Sequence, residues 1–304
     1  MKLVGTMLVK NEDWVIGFTL RAALQWCDVV IVYDDQSTDS TVDIIREISR
    51  ELDDSTRLHY IDGEAEEIHP HAWREMQQRQ RMLNEARKID ATHVAVVDAD
   101  EFLTANLLPT IRTDIARTTG LRRGFALPMV SPYDSPDLKR RRIDGSHNSR
   151  GGILLAFEDD KAHNWSKAGD GYQHHMRPPT NLQRVHQAYQ PPTGGGIVHL
   201  QYVTLERLKV KAAWYKAMET VTYPGRMSAA QLDAKYDWTL KRGGEQYSPI
   251  PDAWLNGYED LIGKHYRPHQ DPWQLAALKD MVESHGIAPF TSLNLHGVVD
   301  LATH

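Results

Sequence analysis

A chain of 304 residues that is 41% hydrophobic and 25% charged has the composition of a folded globular protein, in one large or two small domains. A formal net charge of -6 argues against wholesale nucleic-acid binding, and a single cysteine, Cys27, excludes an internal disulfide framework and a Cys-rich zinc site. No apolar run approaches the ~20 residues that span a bilayer, and Met1 to Gly5 reads straight into a strand with no signal-peptide apolar region, so the expected compartment is the cytoplasm.

Taken in order, Leu3 to Val9 is a first strand, and Lys10-Asn11-Glu12-Asp13 is a polar loop in which Asn11 or Asp13 could cap a helix over Trp14 to Trp26. Val29 to Tyr33 is a short buried strand that runs into Asp34-Asp35-Gln36-Ser37-Thr38-Asp39-Ser40-Thr41. Ser40 with Asp43 then resembles a capping box ahead of Val42, Ile45, Ile48 and Leu52 at helical spacing. Leu58 to Ile61 is a third strand and Arg74 to Lys88 a helix with Met76, Leu83 and Ala86 inward.

The apolar run Val94 to Val97 then delivers Asp98, Asp100 and Glu101 at a strand's end. Strand alternation would point Asp98 and Asp100 the same way. Two carboxylates so placed repel one another, and a hard divalent cation removes that penalty. A solvated acidic turn is the plain alternative. Strand and helix alternate over the first ~105 residues, which implies a mostly parallel sheet flanked by helices, with ligands beyond the carboxyl ends of the strands. The polar loops after Val9, Tyr33 and Val97 all fall on that edge. No Gly-rich phosphate loop follows any strand, so metal and basic side chains must handle the phosphates of any nucleotide.

Beyond Gly120 the pattern loosens. Phe125 to Val130 and Ile153 to Phe157 are expected strands, separated by an arginine-rich loop, and Trp165 to Pro179 is a long polar segment. After Gly194-Gly195-Gly196 come a strand over Ile197 to Tyr202 and a helix over Thr204 to Thr220. Past Pro224 the chain is helical with many aromatics, which either pack onto the sheet domain or form a stacking platform.

Lys10-Asn11-Glu12, the stretch Val32 to Thr41, and Val97-Asp98-Ala99-Asp100-Glu101-Phe102 together resemble the family-2-like glycosyltransferases of the GT-A fold, with an N-E loop, a D-D-x-S-x-D turn and a D-x-D-E strand end. The resemblance is specific over about residues 3 to 105. It implies a GT-A domain over 1–222 and leaves 223–304 as a helical extension. It also implies an enzyme that moves a hexose or pentose from a nucleotide-diphosphate sugar to an acceptor hydroxyl with Mn2+ or Mg2+, the expected mode being inverting.

By this resemblance Asp34 and Asp35 hold the nucleobase, with Asn11 and Glu12 lining the pocket. Asp98 touches the ribose, Asp100 binds the metal that bridges the diphosphate, and Arg79 or Arg81 contacts the donor. His199, within an apolar strand, completes the metal site with Asp98 and Asp100, or else is a hydrogen-bonded core histidine. For the general base the chain departs from the family pattern: Glu158 has the right neighbours, while Asp170 and His175 lie in the long polar segment and are preferred. A soluble glycan or other biomolecule is the expected acceptor. A hydroxymethylated pyrimidine in DNA, met by Lys139 to Arg142, is the alternative, and nucleotidyl transfer is the alternative of another reaction class.

Overall fold

The computed structural model describes residues 1–64, 71–117, 124–143, 152–166, 177–182, 189–240 and 245–299. In chain order the elements are β1 (Leu3–Val9), α1 (Ile16–Ala23), β2 (Val29–Asp34), α2 (Thr41–Glu51), β3 (Leu58–Asp62), α3 (His71–Lys88), β4 (His93–Val96), β5 (Glu101–Leu103), α4 (Ile111–Ala116), β6 (Phe125–Leu127), β7 (Met129–Val130) and β8 (Arg140–Arg142). They continue with β9 (Ile153–Glu158), β10 (Ile197–His199), α5 (Leu205–Thr222), α6 (Ala229–Tyr236), β11 (Tyr247–Pro249), α7 (Glu259–His265) and α8 (Trp273–His285).

The contacts divide the chain into two compact units that interleave in sequence. The first comprises Met1–Val130, Asn148–His199 and Pro251–Arg267, and the second Ser131–His147, Leu200–Ile250 and Pro268–His304.

The first unit is α/β, built on a six-stranded sheet in the order β3-β2-β1-β4-β9-β6. Strands β3, β2, β1 and β4 are mutually parallel, and β9 runs antiparallel to both β4 and β6. Its central strands are apolar on both faces because helices cover both. Val4, Ile31, Tyr33, Val94 and Val96 pack under α3 against Met82, Leu83 and Ala86. Their strand neighbours Met7, Val30, Val32, Ala95 and Val97 pack with Ile16, Leu20, Ile45 and Ile48. Cys27 is buried in that second layer, and burial holds its thiol far above the ordinary value, which makes it a packing residue.

Several local expectations change. Neither Asn11 nor Asp13 caps α1, whose N-cap is Val15 without a side-chain bond. Asn11 instead ties β1 to the next acidic turn: its N–H donates to Ser37 Oγ (2.8 Å) and its Oδ1 accepts from the Thr38 N–H (2.7 Å). Helix α2 has no capping box either; Asp39 accepts the Thr41 N–H at 2.9 Å. The expected strand over Phe125 to Val130 splits at Pro128 into β6 and β7, which join different sheets, because proline cannot continue a ladder. Past Pro224, residues 251–267 belong to the first unit. There Tyr258 is fully buried against Phe18 and Phe102, and its hydroxyl donates to the Leu103 carbonyl at 3.1 Å.

The second unit centres on α5, α6 and α8, with Ala213, Ala217, Leu232, Leu278, Val282 and Phe290 in its core. The arginine-rich stretch is no loop here: Arg140–Arg142 forms β8, antiparallel to β11. Arg142 is buried over the Tyr133 ring, whereas Arg140 is exposed over Tyr247. The basic run is therefore only partly a surface charge, which weakens it as a phosphate-binding patch. No helix among the described residues is long and apolar enough to cross a membrane.

Candidate active site

The carboxyl ends of β1, β2 and β4 lie side by side, because β1 pairs in parallel with both neighbours. Three polar turns therefore share one edge. Asp34 is buried at the end of β2, one oxygen accepting the Ser37 N–H at 3.0 Å. Glu12 accepts the Trp14 indole N–H at 2.7 Å and is anchored by its own N–H to Thr41 Oγ1 at 2.8 Å. Asp35 has a different set of partners, Arg74 and Gln78 of α3 and Lys10. One of its oxygens accepts from Gln78 Nε2 at 2.8 Å and from the Arg74 guanidinium, and the other lies 3.5 Å from Lys10 Nζ.

At the end of β4 the expected alternation breaks down. The strand stops at Val96, and residues 98–101 form a turn in which the Glu101 N–H donates to the Asp98 carbonyl (3.0 Å) and the Asp98 N–H to Glu101 Oε2 (3.2 Å). Asp98 and Asp100 consequently have different partners. Asp98 faces the α3 side, where Arg79 lies at 3.4 Å and Arg177 at 3.1 Å. Desolvation opposes its charge, but Arg177 and Arg79 outweigh it and hold the carboxyl below the ordinary range. Asp100 Oδ2 lies 3.3 Å from His199 Nε2, both side chains largely buried.

This meeting of residues a hundred positions apart is set by β10, which pairs antiparallel with β5 so that His199 stands opposite Glu101. The glycine run makes that pairing possible. Gly195 has φ +95°, and a Cβ there would lie 2.4 Å from Thr104 Oγ1; one on Gly196 would lie 2.0 Å from the Pro128 carbonyl oxygen.

Arg177 gave no signal in the sequence beyond its place in a polar segment, yet it ties the turn together. Its Nη1 donates to Asp98 and, at 2.8 Å, to Glu101; Nε donates to the Leu154 carbonyl at 2.8 Å and Nη2 to the Val96 carbonyl. Glu101 is fully buried, and that burial raises its pKa against the pull of Arg177. Arg79 is also buried, held by Glu75 at 2.7 Å, so it orients Asp98. Arg81 pairs with Glu64 at 3.4 Å, its guanidinium 5.6 Å over the Tyr33 ring.

Of the expected metal ligands, the structure unites Asp100 and His199, while Asp98 is turned to the arginines. Among the described residues, the one set of three such side chains with ligand atoms within 4.8 Å is Asp159, Asp160 and His163. Asp159 there is bound twice by Arg87, at 2.8 Å each, as an ion pair.

The Asp100–His199 pair does fit a divalent cation. Its nitrogen and oxygen lie 3.3 Å apart, close to the ~3 Å between adjacent ligands on a metal with bonds of ~2.1 Å, and the imidazole nitrogen in the donor set suits a transition-metal ion such as Mn2+ better than Mg2+, which prefers oxygen ligands alone. The surrounding charge agrees: four carboxylates (Glu75, Asp98, Asp100, Glu101) face two guanidiniums and one imidazole.

The base expectations fare differently. Glu158 pairs with His93, the first residue of β4, so it lies at the opposite end of the strand from the acidic turn and cannot serve there. Asp170 and His175 lie outside the described residues.

No protein-family model and no curated protein matches the chain. Solved structures similar to it include S. aureus TarS, with a TM-score of 0.41 and 14% identity over 98% of this chain and 52% of that one, so the chain spans about half of TarS. TarS 1-349 in complex with UDP-GlcNAc has a TM-score of 0.40 and 14% identity over 98% and 87% of the two chains. The mannosyltransferase PcManGT from Pyrobaculum calidifontis, in complex with GDP-Man and Mn2+, has a TM-score of 0.38 and 16% identity over 99% and 79%. Likenesses this remote carry no residue-by-residue correspondence.

Proposed function

We propose that the chain is a GT-A-type glycosyltransferase, family-2-like in its motifs, that transfers a sugar from a nucleotide-diphosphate donor to an acceptor hydroxyl with the help of Mn2+ or Mg2+. The observation that carries this reading is the meeting of the Asn11, Asp34-Asp35 and Asp98-Asp100 turns at the carboxyl edge of the parallel strands, with His199 brought beside Asp100.

Asp100 and His199 would hold the cation, which would neutralise charge growing on the leaving diphosphate. Arg79 and Arg177 keep Asp98 ionised, ready to accept a ribose hydroxyl proton in a hydrogen bond. Glu101, locked by Arg177, fixes the turn that presents Asp100. Inverting transfer requires a base near the acceptor hydroxyl, and Asp170 and His175 are the residues proposed for it. A soluble glycan remains the preferred acceptor.

The test is Mn2+ affinity in Asp100→Ala and His199→Ala, measured by calorimetry beside thermal unfolding. Both variants should lose metal-dependent binding of nucleoside diphosphates while staying folded. Variants that bind Mn2+ and diphosphate as the unaltered protein does would remove this pair from the site.

A further inference from the structure

Helix α1 reaches the acidic turn after β4 through one buried hydroxyl. Thr19 is fully buried, and its Oγ1 donates to the Ala99 carbonyl at 2.6 Å, across 80 positions of chain. A threonine inside a helix can turn its hydroxyl back to the carbonyl four residues earlier. Here that acceptor, the Val15 carbonyl, lies at 3.4 Å and already takes the Thr19 N–H at 3.1 Å. A hydroxyl has one proton to give, and the shorter bond to Ala99 claims it. Ala99 is itself only 5% exposed, so water is poorly placed to replace the hydroxyl.

Ala99 stands between Asp98 and Asp100. Its carbonyl and the Asp100 N–H share one rigid peptide plane, so holding that carbonyl fixes where the Asp100 Cα sits and limits the directions in which its side chain can leave the backbone. Arg177 does not supply this restraint. It holds the Val96 carbonyl and the carboxylates of Asp98 and Glu101, which lie on either side of the Ala99–Asp100 peptide. Thr19 holds the middle. The residue before it, Phe18, packs on Phe102 of β5 with ring centroids 4.7 Å apart, so α1 is registered against the turn and the strand that follows it. The same helix starts from the Glu12 carbonyl, which accepts the N–H groups of Val15 at 3.0 Å and Ile16 at 2.8 Å. One short helix thus links the loop after β1 to the turn after β4.

Resting on the metal-dependent reading above, we propose that Thr19 is a positioning residue for Asp100: by holding the Ala99 carbonyl, its hydroxyl aims the Asp100 carboxylate at the cation that Asp100 shares with His199. The role belongs to the hydroxyl and not to the bulk of the side chain, which separates it from ordinary packing.

The experiment is Mn2+ binding, read from the electron paramagnetic resonance signal of the free ion, beside thermal unfolding, in the unaltered protein, Thr19→Val, Thr19→Ala and Thr19→Ser. Thr19→Val keeps the shape and loses the donor; Thr19→Ser keeps the donor and loses a methyl group. Thr19→Val and Thr19→Ala should weaken Mn2+ binding about fivefold, the scale of one hydrogen bond. Thr19→Ser should bind within about twofold of the unaltered protein although its melting temperature falls with the lost methyl. Affinity that follows melting temperature across the variants instead of following the hydroxyl, or Thr19→Val and Thr19→Ala binding Mn2+ as tightly as the unaltered protein, overturns the proposal and leaves the metal-dependent reading intact. An unaltered protein that binds no Mn2+ overturns both.

Discussion

Arg177 reaches two carboxylates and two main-chain carbonyls, and lysine cannot reproduce that fork with one ammonium. Arg177→Lys should therefore cost about 1–3 kcal/mol in denaturant unfolding, the scale of buried acceptors left without a donor, and should weaken Mn2+ binding as the 98–101 turn loosens. Unchanged Mn2+ affinity would show that the turn holds its shape without Arg177. Asp159 offers a pH test on the same principle at the opposite end of the sheet. Its side chain is fully buried; desolvation opposes its charge, but the two hydrogen bonds from Arg87 prevail and hold it well below the ordinary value of 3.8. A depressed carboxylate stabilises the fold above its unfolded pKa and loses that contribution as pH falls through the folded one. The unaltered protein should thus exceed Asp159→Asn by about 3 kcal/mol near neutrality, with the gap shrinking only as pH drops below 3.8. A pH-independent gap would assign the effect to packing.

At the scale of elements, the site depends on how β10 is delivered to β5. Gly195→Ala meets both an unfavourable φ and Thr104, and should cost about 2 kcal/mol or more and lower Mn2+ affinity by displacing His199. Gly257→Ala, at φ +89° with nothing within 4 Å of the added carbon, should cost only about 1 kcal/mol and leave Mn2+ binding alone. Equal metal affinities in the two variants would separate the glycine run from the site.

These elements also mark what the chain reveals on reading. Leu3 to Val9, Val29 to Tyr33, Leu58 to Ile61 and the helices between them were legible because a parallel sheet covered on both faces leaves continuous apolar runs. Asp100 with His199 was legible through a motif resemblance. The separate partners of Asp98 and Asp100 were not, because the strand ends one residue early, at Val96, and the turn that follows is tied by the Glu101–Arg177 pair, a long-range contact without local signal. Glu158 misled for a related reason: its letters fit, but an antiparallel register carries it to the wrong end of β4. Gln78 reads as one more polar helix residue until Asp35 is seen to hold it.

For the molecule as a whole, the central claim is that the carboxyl edge of the sheet binds a nucleotide diphosphate through a metal. It is tested most directly by thermal unfolding with UDP, GDP, ADP and CDP, each with and without Mn2+. A ligand at 100 times its Kd stabilises by about 2.7 kcal/mol, a shift of several degrees for a protein of this size. The account predicts such a shift with at least one diphosphate, present only with Mn2+ and absent in Asp100→Ala. No shift with any diphosphate, or one equally large without metal and in Asp100→Ala, would contradict it.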